Sequence, residues 1–250
     1  MNQVHTSSGT GEGLTYVGKD LEAMSCAENY RRWIVEIFAP HLGRRVVEVG
    51  AGKGAFSELI LEHGVESLSL VEPSPEMFRE LRERVEGLRP GAVVETYNTI
   101  FTEAAPLISA SVRPDTIIYI NVLEHVADDV AELELMRHTL ADGGRAFVFV
   151  PALGWLYGSF DRQIGHHRRY SKRELEEKCR RAGLRVLDAG YLDLPGVLPW
   201  WVKYRLLRSE TMEAGAVKLY DKFCVPLIKT VETRLRPPIG KNIFLVAEKA

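Results

Sequence analysis

Apolar and polar positions follow two alternating patterns along the first 150 residues. Short apolar runs bounded by Gly, Pro or Asp predict strands, and segments with apolar residues at three- and four-residue steps predict helices between them. The expected strands cover residues 45–49, 67–71, 92–97, 115–120 and 145–150. The expected helices cover residues 55–63, 75–88 and 128–140. Strands and helices that alternate in this way are typical of a parallel sheet covered on both faces.

The two ends of the chain depart from this alternation. A helical pattern over residues 16–38 precedes the first strand and ends before Pro40. The fifth strand is followed by an expected loop over 155–170, a helix over 171–182 and a strand over 184–192. A helical insertion over residues 195–238 then precedes a last strand over 242–248. This strand arrives without a crossover helix, so we expect it to run antiparallel to its neighbour.

These elements predict an α/β fold with a doubly wound, seven-stranded mixed sheet, an N-terminal helix and a C-terminal helical insertion. We expect a single domain over residues 15–250, with a helical cap over 15–43. Residues 1–14 are polar and rich in Gly and Ser, which favours a disordered tail over a signal peptide. Doubly wound sheets bind ligands at the carboxyl ends of their strands, where the strand order reverses.

The composition is that of a globular, reduced protein. Hydrophobic residues make up 46% and charged residues 26% of the 250 positions, which is enough for a sizeable core. The formal net charge of -2 does not favour a nucleic-acid partner. Cys26, Cys179 and Cys224 are widely spaced, so we expect a cytoplasmic setting and no bound metal. No apolar stretch is long enough for a membrane-spanning helix.

A glycine-rich turn joins the first strand to the following helix in VVEVGAGKGAFS, residues 46–57. A nucleoside-triphosphate loop requires Lys followed by Ser or Thr, and here Lys53 is followed by Gly54. A dinucleotide fingerprint is matched by Gly50, Gly52 and Ala55. Three small residues also form tight turns that bind nothing. The turn alone therefore leaves its ligand open.

Two acidic residues narrow the choice. Glu48 lies within the apolar first strand, where a buried carboxylate needs a cationic ligand group or a set of backbone donors. Glu72 ends the second strand, about 20 residues beyond the turn, where a carboxylate can accept both hydroxyls of a ribose. A dinucleotide enzyme shares the second acid, so Glu48 discriminates better between the cofactor classes than Glu72 does.

Four segments resemble the successive motifs of class I S-adenosylmethionine-dependent methyltransferases. They are VEVGAGKGAFS, VEPSPEM, DTIIYINVLEH and LADGGRAFVFVPA, and they span about residues 44–151. The resemblance implies a Rossmann-like fold and S-adenosylmethionine as cofactor, with S-adenosylhomocysteine as product. It implies these cofactor-binding positions: Glu48, Gly50, Ala51, Gly52 and Gly54 at the turn, Glu72 and Pro73 at the ribose, Asn98 near the adenine, and Asn121, Val122 and Leu123 near the methionine part.

Two further segments resemble a subgroup of bacterial methyltransferases often encoded near glycosyltransferases. They are AENYRRW and GSFDRQIGHHRRYSKRELEEKCRRAGL. The acceptors of this subgroup are mostly unassigned, so the resemblance adds little about the substrate. We expect methylation of an oxygen or nitrogen on a small-molecule, sugar-linked or lipid-like acceptor. Two alternatives stay open, namely an NAD(P)-dependent oxidoreductase and a non-catalytic cofactor-binding partner of a glycosyltransferase. The absence of a Tyr-x-x-x-Lys pair near the strand ends weighs against the oxidoreductase.

The densest group of titratable side chains is DRQIGHHRRY, residues 161–170. We expect a general base here, because histidine takes up a proton near neutral pH. His166 is the first candidate, and His125 and His167 follow it. The alternative is a surface loop that caps the helix beginning near Ser171. Four residues of the segment are candidates for binding an anionic acceptor: Arg162, Arg168, Arg169 and Tyr170.

Aromatic and apolar residues outside the motifs have two interpretations. Tyr30 and Trp33 lie on one face of the N-terminal helix and either cover the active site or pack on the domain. Trp200, in the insertion, is a further candidate for acceptor binding. A helical stripe runs through the second half of the insertion: Val217, Tyr220, Cys224, Leu227, Ile228, Val231 and Leu235. It serves either as core or homodimer face, or as peripheral contact with a membrane or lipid-like acceptor.

Overall fold

A computed structural model describes residues 26–88 and 91–250. The predicted tail over residues 1–14 and the first part of the predicted N-terminal helix lie outside these ranges. The strands are β1 (Arg45–Val49), β2 (Ser67–Val71), β3 (Val93–Tyr97), β4 (Thr116–Ile120), β5 (Arg145–Pro151), β6 (Leu184–Leu192) and β7 (Asn242–Lys249). The α-helices are α1 (Glu28–Phe38), α2 (Ala55–Leu61), α3 (Pro75–Leu88), α4 (Phe101–Ser111), α5 (Asp129–Thr139), α6 (Ser159–Gln163), α7 (Lys172–Arg181), α8 (Val197–Trp200), α9 (Ala214–Phe223) and α10 (Val225–Glu232). In this part of the chain, no helix combines the length and the apolar character that crossing a membrane requires.

All seven strands belong to one sheet with the order β3-β2-β1-β4-β5-β7-β6. β7 lies between β5 and β6 and is antiparallel to both, while the other neighbouring pairs are parallel. The prediction of a seven-stranded mixed sheet with an antiparallel last strand is therefore confirmed. The order reverses between β1 and β4, so their carboxyl ends flank the crevice where such folds bind ligands.

Both faces of the sheet are covered, which explains the uninterrupted apolar runs. All five residues of β4 are buried. Ile117 and Tyr119 belong to the hydrophobic cluster on one face, and Ile118 and Ile120 belong to the cluster on the other. Side chains of a strand alternate between faces, so a strand buried on both sides has no polar face to interrupt its sequence.

Helix α4 was not predicted from the sequence. Pro106 lies inside it and lacks the backbone N–H that a helix interior uses. The helix forms because Phe101, Ala104, Ala105 and Ile108 bury one side against the core. The predicted loop over 155–170 likewise contains a 3₁₀ turn, Gly154–Leu156, and helix α6. In both segments tertiary packing outweighs a weak local pattern.

The insertion is attached to the N-terminal helix through one buried carboxylate. Asp221 of α9 accepts hydrogen bonds from the backbone N–H of Asn29 at 3.0 Å and of Tyr30 at 2.9 Å. Those N–H groups belong to the first turn of α1, where no preceding carbonyl can accept them. Asp221 also favours that helix end electrostatically. The helical cap and the insertion are thereby held together on the same side of the sheet.

Candidate functional site

The carboxyl ends of β1 and β2 are joined through the glycine turn. The backbone N–H groups of Gly50 and Ala51 donate to the carbonyl oxygen of Val71 at 2.8 and 3.1 Å. Gly50 has a φ of 74°, and a Cβ there would lie 2.3 Å from a methyl group of Val122. Gly52 has a φ of 56°, and a Cβ there would meet nothing within 4 Å. The turn thus requires glycine sterically at one position and leaves open space at another, as a close-lying ligand needs.

Glu72 lies at the end of β2 with its carboxylate directed at the turn. One oxygen accepts the N–H of Gly52 at 2.8 Å, and the other accepts the N–H of Ser74 at 2.8 Å. Burial raises the pKa of Glu72, and the two backbone hydrogen bonds oppose that rise. Each carboxylate oxygen has a second acceptor site. Glu72 can therefore hold the turn and accept further hydroxyl groups at the same time.

Glu48 is buried in β1 and is hydrogen-bonded to a hydroxyl group. The Ser57 hydroxyl, on α2, donates to its carboxylate at 2.5 Å. Burial raises the pKa of Glu48 to about 8, the Ser57 bond opposes the rise, and the nearby Glu72 adds to it. The sequence predicted a cationic ligand group or backbone donors around this carboxylate. The donor present is a side-chain hydroxyl, which leaves acceptor capacity for a cation.

The remaining cofactor candidates lie at the same edge of the sheet. The Asn98 side-chain amide donates to the carbonyl oxygens of Glu72 at 2.9 Å and of Pro73 at 3.3 Å, which ties the end of β3 to that of β2. Asn121 directly follows β4, is exposed and has a left-handed φ of 54°. Leu123 is completely buried in the core. It therefore packs in the core beneath this edge of the sheet and offers no surface to a ligand.

Glu124, His125 and His166 form a cluster that we call the histidine centre. A 3₁₀ turn, Leu123–His125, follows Asn121 and supplies two of the three residues. The loop after α6 supplies His166, whose ring stands edge-on to the ring of His125 with 4.7 Å between their centroids. The backbone N–H of His167 donates to the carbonyl oxygen of Glu124 at 2.8 Å and joins the two segments. His167 itself is exposed.

Both ring nitrogens of His166 face carboxylates. Nδ1 lies 2.9 Å from Oδ1 of Asp161, and Nε2 lies 3.7 Å from Oε1 of Glu124. Asp161 also accepts a hydrogen bond from Nε of Arg169 at 2.8 Å. Burial acts to raise the pKa of Asp161, but the bonds from His166 and Arg169 hold it below its usual value. Asp161 therefore carries a negative charge that orients the His166 ring.

The other two members of the centre have strongly shifted pKa values. Burial raises the pKa of Glu124 to about 7, against the charges of His166 and Arg169. Burial, together with His166, lowers the pKa of His125 to about 4. A buried group with a shifted pKa at the ligand-binding edge of a sheet is typical of a functional site.

Most of the predicted acceptor-binding cations are bound within the protein. Arg168 is ion-paired with Asp129 at 2.6 Å, and Arg169 with Asp161. The Tyr170 hydroxyl is buried and donates to Asp129 at 2.8 Å. Arg162 is exposed. The geometry of this segment favours the role of an internally braced loop, with Arg162 as its accessible cation.

The aromatic candidates divide in a similar way. Tyr30 and Trp33 are only 5% and 4% exposed and belong to the core beside Phe149, which favours packing on the domain over covering the site. Trp200 is half-buried, and the guanidinium of Arg169 lies 4.8 Å from its ring centroid. Trp200 therefore adjoins the ion pair that orients His166.

Sequence analysis did not identify Glu124 or Asp161 as site residues. Both signals were available, since Glu124 precedes His125 in NVLEH and Asp161 lies five positions before His166. Their importance follows from the folding of the loop onto the 3₁₀ turn, which the sequence pattern does not reveal.

Comparison with known sequences identifies relatives of part of this chain. The family model "Methyltransferase domain" matches residues 22–189. The ubiquinone biosynthesis O-methyltransferase of Xylella fastidiosa strain 9a5c is 34% identical over 110 residues, which are 44% of this chain and 42% of that protein. The chain thus spans less than half the length of the curated relatives it matches.

Two solved structures share the architecture. A SAM-dependent methyltransferase and possible histamine N-methyltransferase from Thermotoga maritima has a TM-score of 0.57 at 16% identity, covering 95% of this chain and 97% of that one. The Burkholderia thailandensis 1,6-didemethyltoxoflavin-N1-methyltransferase, with bound 1,6-didemethyltoxoflavin and S-adenosylhomocysteine, has a TM-score of 0.55 at 16% identity and covers 93% and 82% of the chains. At these identities the likeness shows a common fold.

Proposed function

This chain belongs to the class I S-adenosylmethionine-dependent methyltransferases, and we propose that it methylates a hydroxyl group of a lipid-like small molecule. The observation that carries the proposal is the histidine centre, which follows directly after Asn121 at the cofactor edge. A phenol or alcohol must lose its proton when it accepts a methyl group. The histidine centre, at this edge of the sheet, contains groups that can take up that proton.

The glycine turn and its two acids fit the cofactor. Glu48 would bind the cationic amino group of the methionine part, since its buried carboxylate has a hydroxyl as its bonded neighbour. Glu72 would accept the ribose hydroxyls through its remaining acceptor sites, and Asn98 would lie near the adenine. S-adenosylmethionine supplies an electrophilic methyl group when bound. The protein contributes alignment of the acceptor with that methyl group.

In this proposal the histidine centre takes up the proton of the acceptor hydroxyl. Asp161 and Arg169 fix the ring of His166, whose side chain is only 8% exposed, and His125 is half-buried beside it. His167 is exposed and outside the pair. We therefore rank His166 and His125 above His167, and we assign Trp200 and Arg162 to the acceptor side of the site.

The outer surface of the insertion supports a lipid-like acceptor. Exposed apolar side chains recur at every fourth position of α9, α10 and the turn that follows. We call them the apolar stripe: Leu219, Phe223, Leu227, Val231 and Leu235. The helical stripe that was predicted from the sequence is only partly exposed. Ile228 is buried, and Val217 and Tyr220 are half-buried. The parallel row beside the apolar stripe carries exposed Lys218, Lys222 and Arg234.

An apolar stripe flanked by cations matches an anionic membrane surface. The two acidic residues of α9 and α10, Asp221 and Glu232, are buried and do not weaken the positive charge of this face. A lipid-like acceptor would then be taken from the membrane to which the protein is peripherally bound. The curated relative from Xylella fastidiosa is, by its name, an O-methyltransferase of ubiquinone biosynthesis.

The proposal is tested by a methylation panel with radiolabelled S-adenosylmethionine. The panel contains an octyl-substituted catechol, catechol itself, octylamine and a nucleoside-diphosphate sugar. We expect transfer to the octylcatechol, weaker transfer to catechol and none to the amine. Preferred methylation of the amine or of the sugar nucleotide would contradict the proposed acceptor class. Cofactor binding without any transfer would favour the non-catalytic alternative.

A further inference from the structure

The carboxylate of Glu124 is buried beside the ring of His166. Its side chain has no exposed surface, and neither oxygen has a hydrogen-bond partner among the described residues. Oε1 instead faces Nε2 of His166 at 3.7 Å. Burying an unpaired carboxylate is unfavourable unless a cation or a donor completes it. The placement of Glu124 therefore favours a cation bound between it and His166.

The opposite side of the His166 ring is already fixed. Nδ1 donates to Asp161, which is held in turn by Arg169. This tautomer leaves a lone pair on Nε2, directed at Glu124. A carboxylate that accepts the distal N–H of a histidine is the usual outer support of a metal-binding histidine, because it orients the ring and increases its basicity.

The three residues lie close enough together to bind one and the same ion. One ligand atom each from Glu124, His125 and His166 lies within 4.8 Å of the others. In a tetrahedral site with ligands about 2.1 Å from the ion, neighbouring ligand atoms lie about 3.4 Å apart. Small rotations of the side chains would close that difference. The bond from His167 N–H to the Glu124 carbonyl keeps the two segments together.

We propose that Glu124, His125 and His166 bind a divalent transition-metal cation, with Zn²⁺ as the preferred ion. Two imidazoles and one carboxylate favour Zn²⁺ and similar ions over Mg²⁺, which prefers oxygen ligands and retained water. Three protein ligands leave a coordination position open, as in catalytic zinc sites. The inference replaces the sequence-based expectation that no metal is bound.

The catalytic consequence rests on the proposed function. A cation at the histidine centre would favour the ionised form of an acceptor hydroxyl, whose proton would pass to water, and it would do so without a free histidine base. His166 would then act as a ligand, and Asp161 as the residue that positions it.

Isothermal titration calorimetry with Zn²⁺ tests the site directly. The protein is treated with a chelator first, and the exposed Cys26 and Cys224 are replaced by Ser to remove adventitious thiol ligands. We expect one Zn²⁺ per chain with micromolar or tighter affinity, and at least 100-fold weaker binding of Mg²⁺. Glu124→Gln and His166→Ala should each weaken Zn²⁺ binding at least 100-fold, and the exposed His63→Ala should leave it unchanged.

Two readouts separate a lost site from a lost fold. Glu124→Gln keeps the shape of the side chain, so its melting temperature without metal should equal or exceed that of the parent, while the Zn²⁺-induced rise in melting temperature disappears. The affinity for S-adenosylhomocysteine, measured on the same samples, reports the cofactor site separately. Absence of Zn²⁺ binding, or equal binding by the parent, Glu124→Gln and His166→Ala, would overturn the inference whatever the methylation panel shows.

Discussion

The carboxylate of Glu72 accepts the backbone N–H of Gly52 at 2.8 Å, so the end of the second strand holds the glycine turn that follows the first. The second oxygen accepts the N–H of Ser74. One side chain thereby organises both halves of the expected cofactor site. Its loss should affect cofactor affinity much more than global stability.

Replacement of Glu72 by Ala should weaken binding of S-adenosylhomocysteine at least tenfold. The reason is the loss of hydrogen bonds to a charged acceptor, each of which contributes about 1.5–3 kcal/mol. Calorimetric titration gives the dissociation constant, and circular dichroism checks the fold. Glu76→Ala, at an exposed position of the following helix, is the matched control and should bind like the parent. Equal affinity of the two variants would show that the end of β2 does not contact the ligand.

The raised pKa of Glu48 predicts that cofactor binding releases a proton. Below pH 8 the unliganded protein holds a proton on Glu48, because burial raises its pKa to about 8. Pairing with a cationic amino group requires the carboxylate, so affinity for S-adenosylhomocysteine should fall as the pH is lowered from 8.5 to 6.5. Titrations in buffers of different ionisation enthalpy measure the released proton.

The variant Glu48→Gln is the control for the proton release that accompanies cofactor binding. It should bind more weakly than the parent at pH 8, and its binding should release no proton. The effect of pH on folding stability through Glu48 is opposite to its effect on cofactor affinity. The folded protein retains the Glu48 proton between the usual pKa of 4.5 and about 8, so this residue makes stability fall as the pH rises through that window. Glu48→Gln should remove that part of the slope. An unchanged release of protons by the variant would assign the titration to another group.

Loss of His166 should slow methyl transfer without preventing cofactor binding. Removing a positioned group that manages the acceptor proton reduces rates by about 10²–10⁴-fold. Single-turnover methylation of the octyl-substituted catechol is the assay, with S-adenosylhomocysteine affinity expected within a few fold of the parent. His167→Ala, at the exposed neighbour, should change the rate only slightly. Parental rates in both variants would leave the loop with a purely structural role.

Charge introduced into the apolar stripe should abolish membrane binding. The double variant Phe223→Asp and Leu227→Asp should no longer sediment with vesicles that contain phosphatidylglycerol, and salt should weaken binding of the parent. Leu107→Asp, at an equally exposed apolar position on α4, is the control and should bind vesicles normally. A parent that ignores vesicles but dimerises through the stripe in analytical ultracentrifugation would favour the homodimer interpretation.

Much of the fold could be predicted because both faces of the sheet are covered. The apolar runs of the central strands, with Ile118 in β4 and Phe147 in β5, stand out from the amphipathic helices between them. The antiparallel β7 could be anticipated because no crossover helix precedes it. Helix α4 could not, since Pro106 contradicts local helix propensity and the burial of Phe101 and Ile108 overrides it.

Residues of the candidate site could be found from the sequence where they lie in one short segment. The glycine turn directly follows β1, and Glu72 directly follows β2, so both could be located once the two strands were predicted. The histidine centre depends on two segments about 40 residues apart in sequence that meet only when His167 bonds to the Glu124 carbonyl. Likewise, the ion pairs of Arg168 and Arg169 come from long-range contacts, so composition alone could not separate bound from accessible cations.

The account depends on a cofactor site built from Glu48, the glycine turn and Glu72. The most direct test is calorimetric titration of the full chain with S-adenosylhomocysteine and, separately, with NAD⁺. We predict one S-adenosylhomocysteine bound per chain with micromolar affinity, and no measurable heat from NAD⁺. Binding of NAD⁺ without binding of S-adenosylhomocysteine would contradict the account.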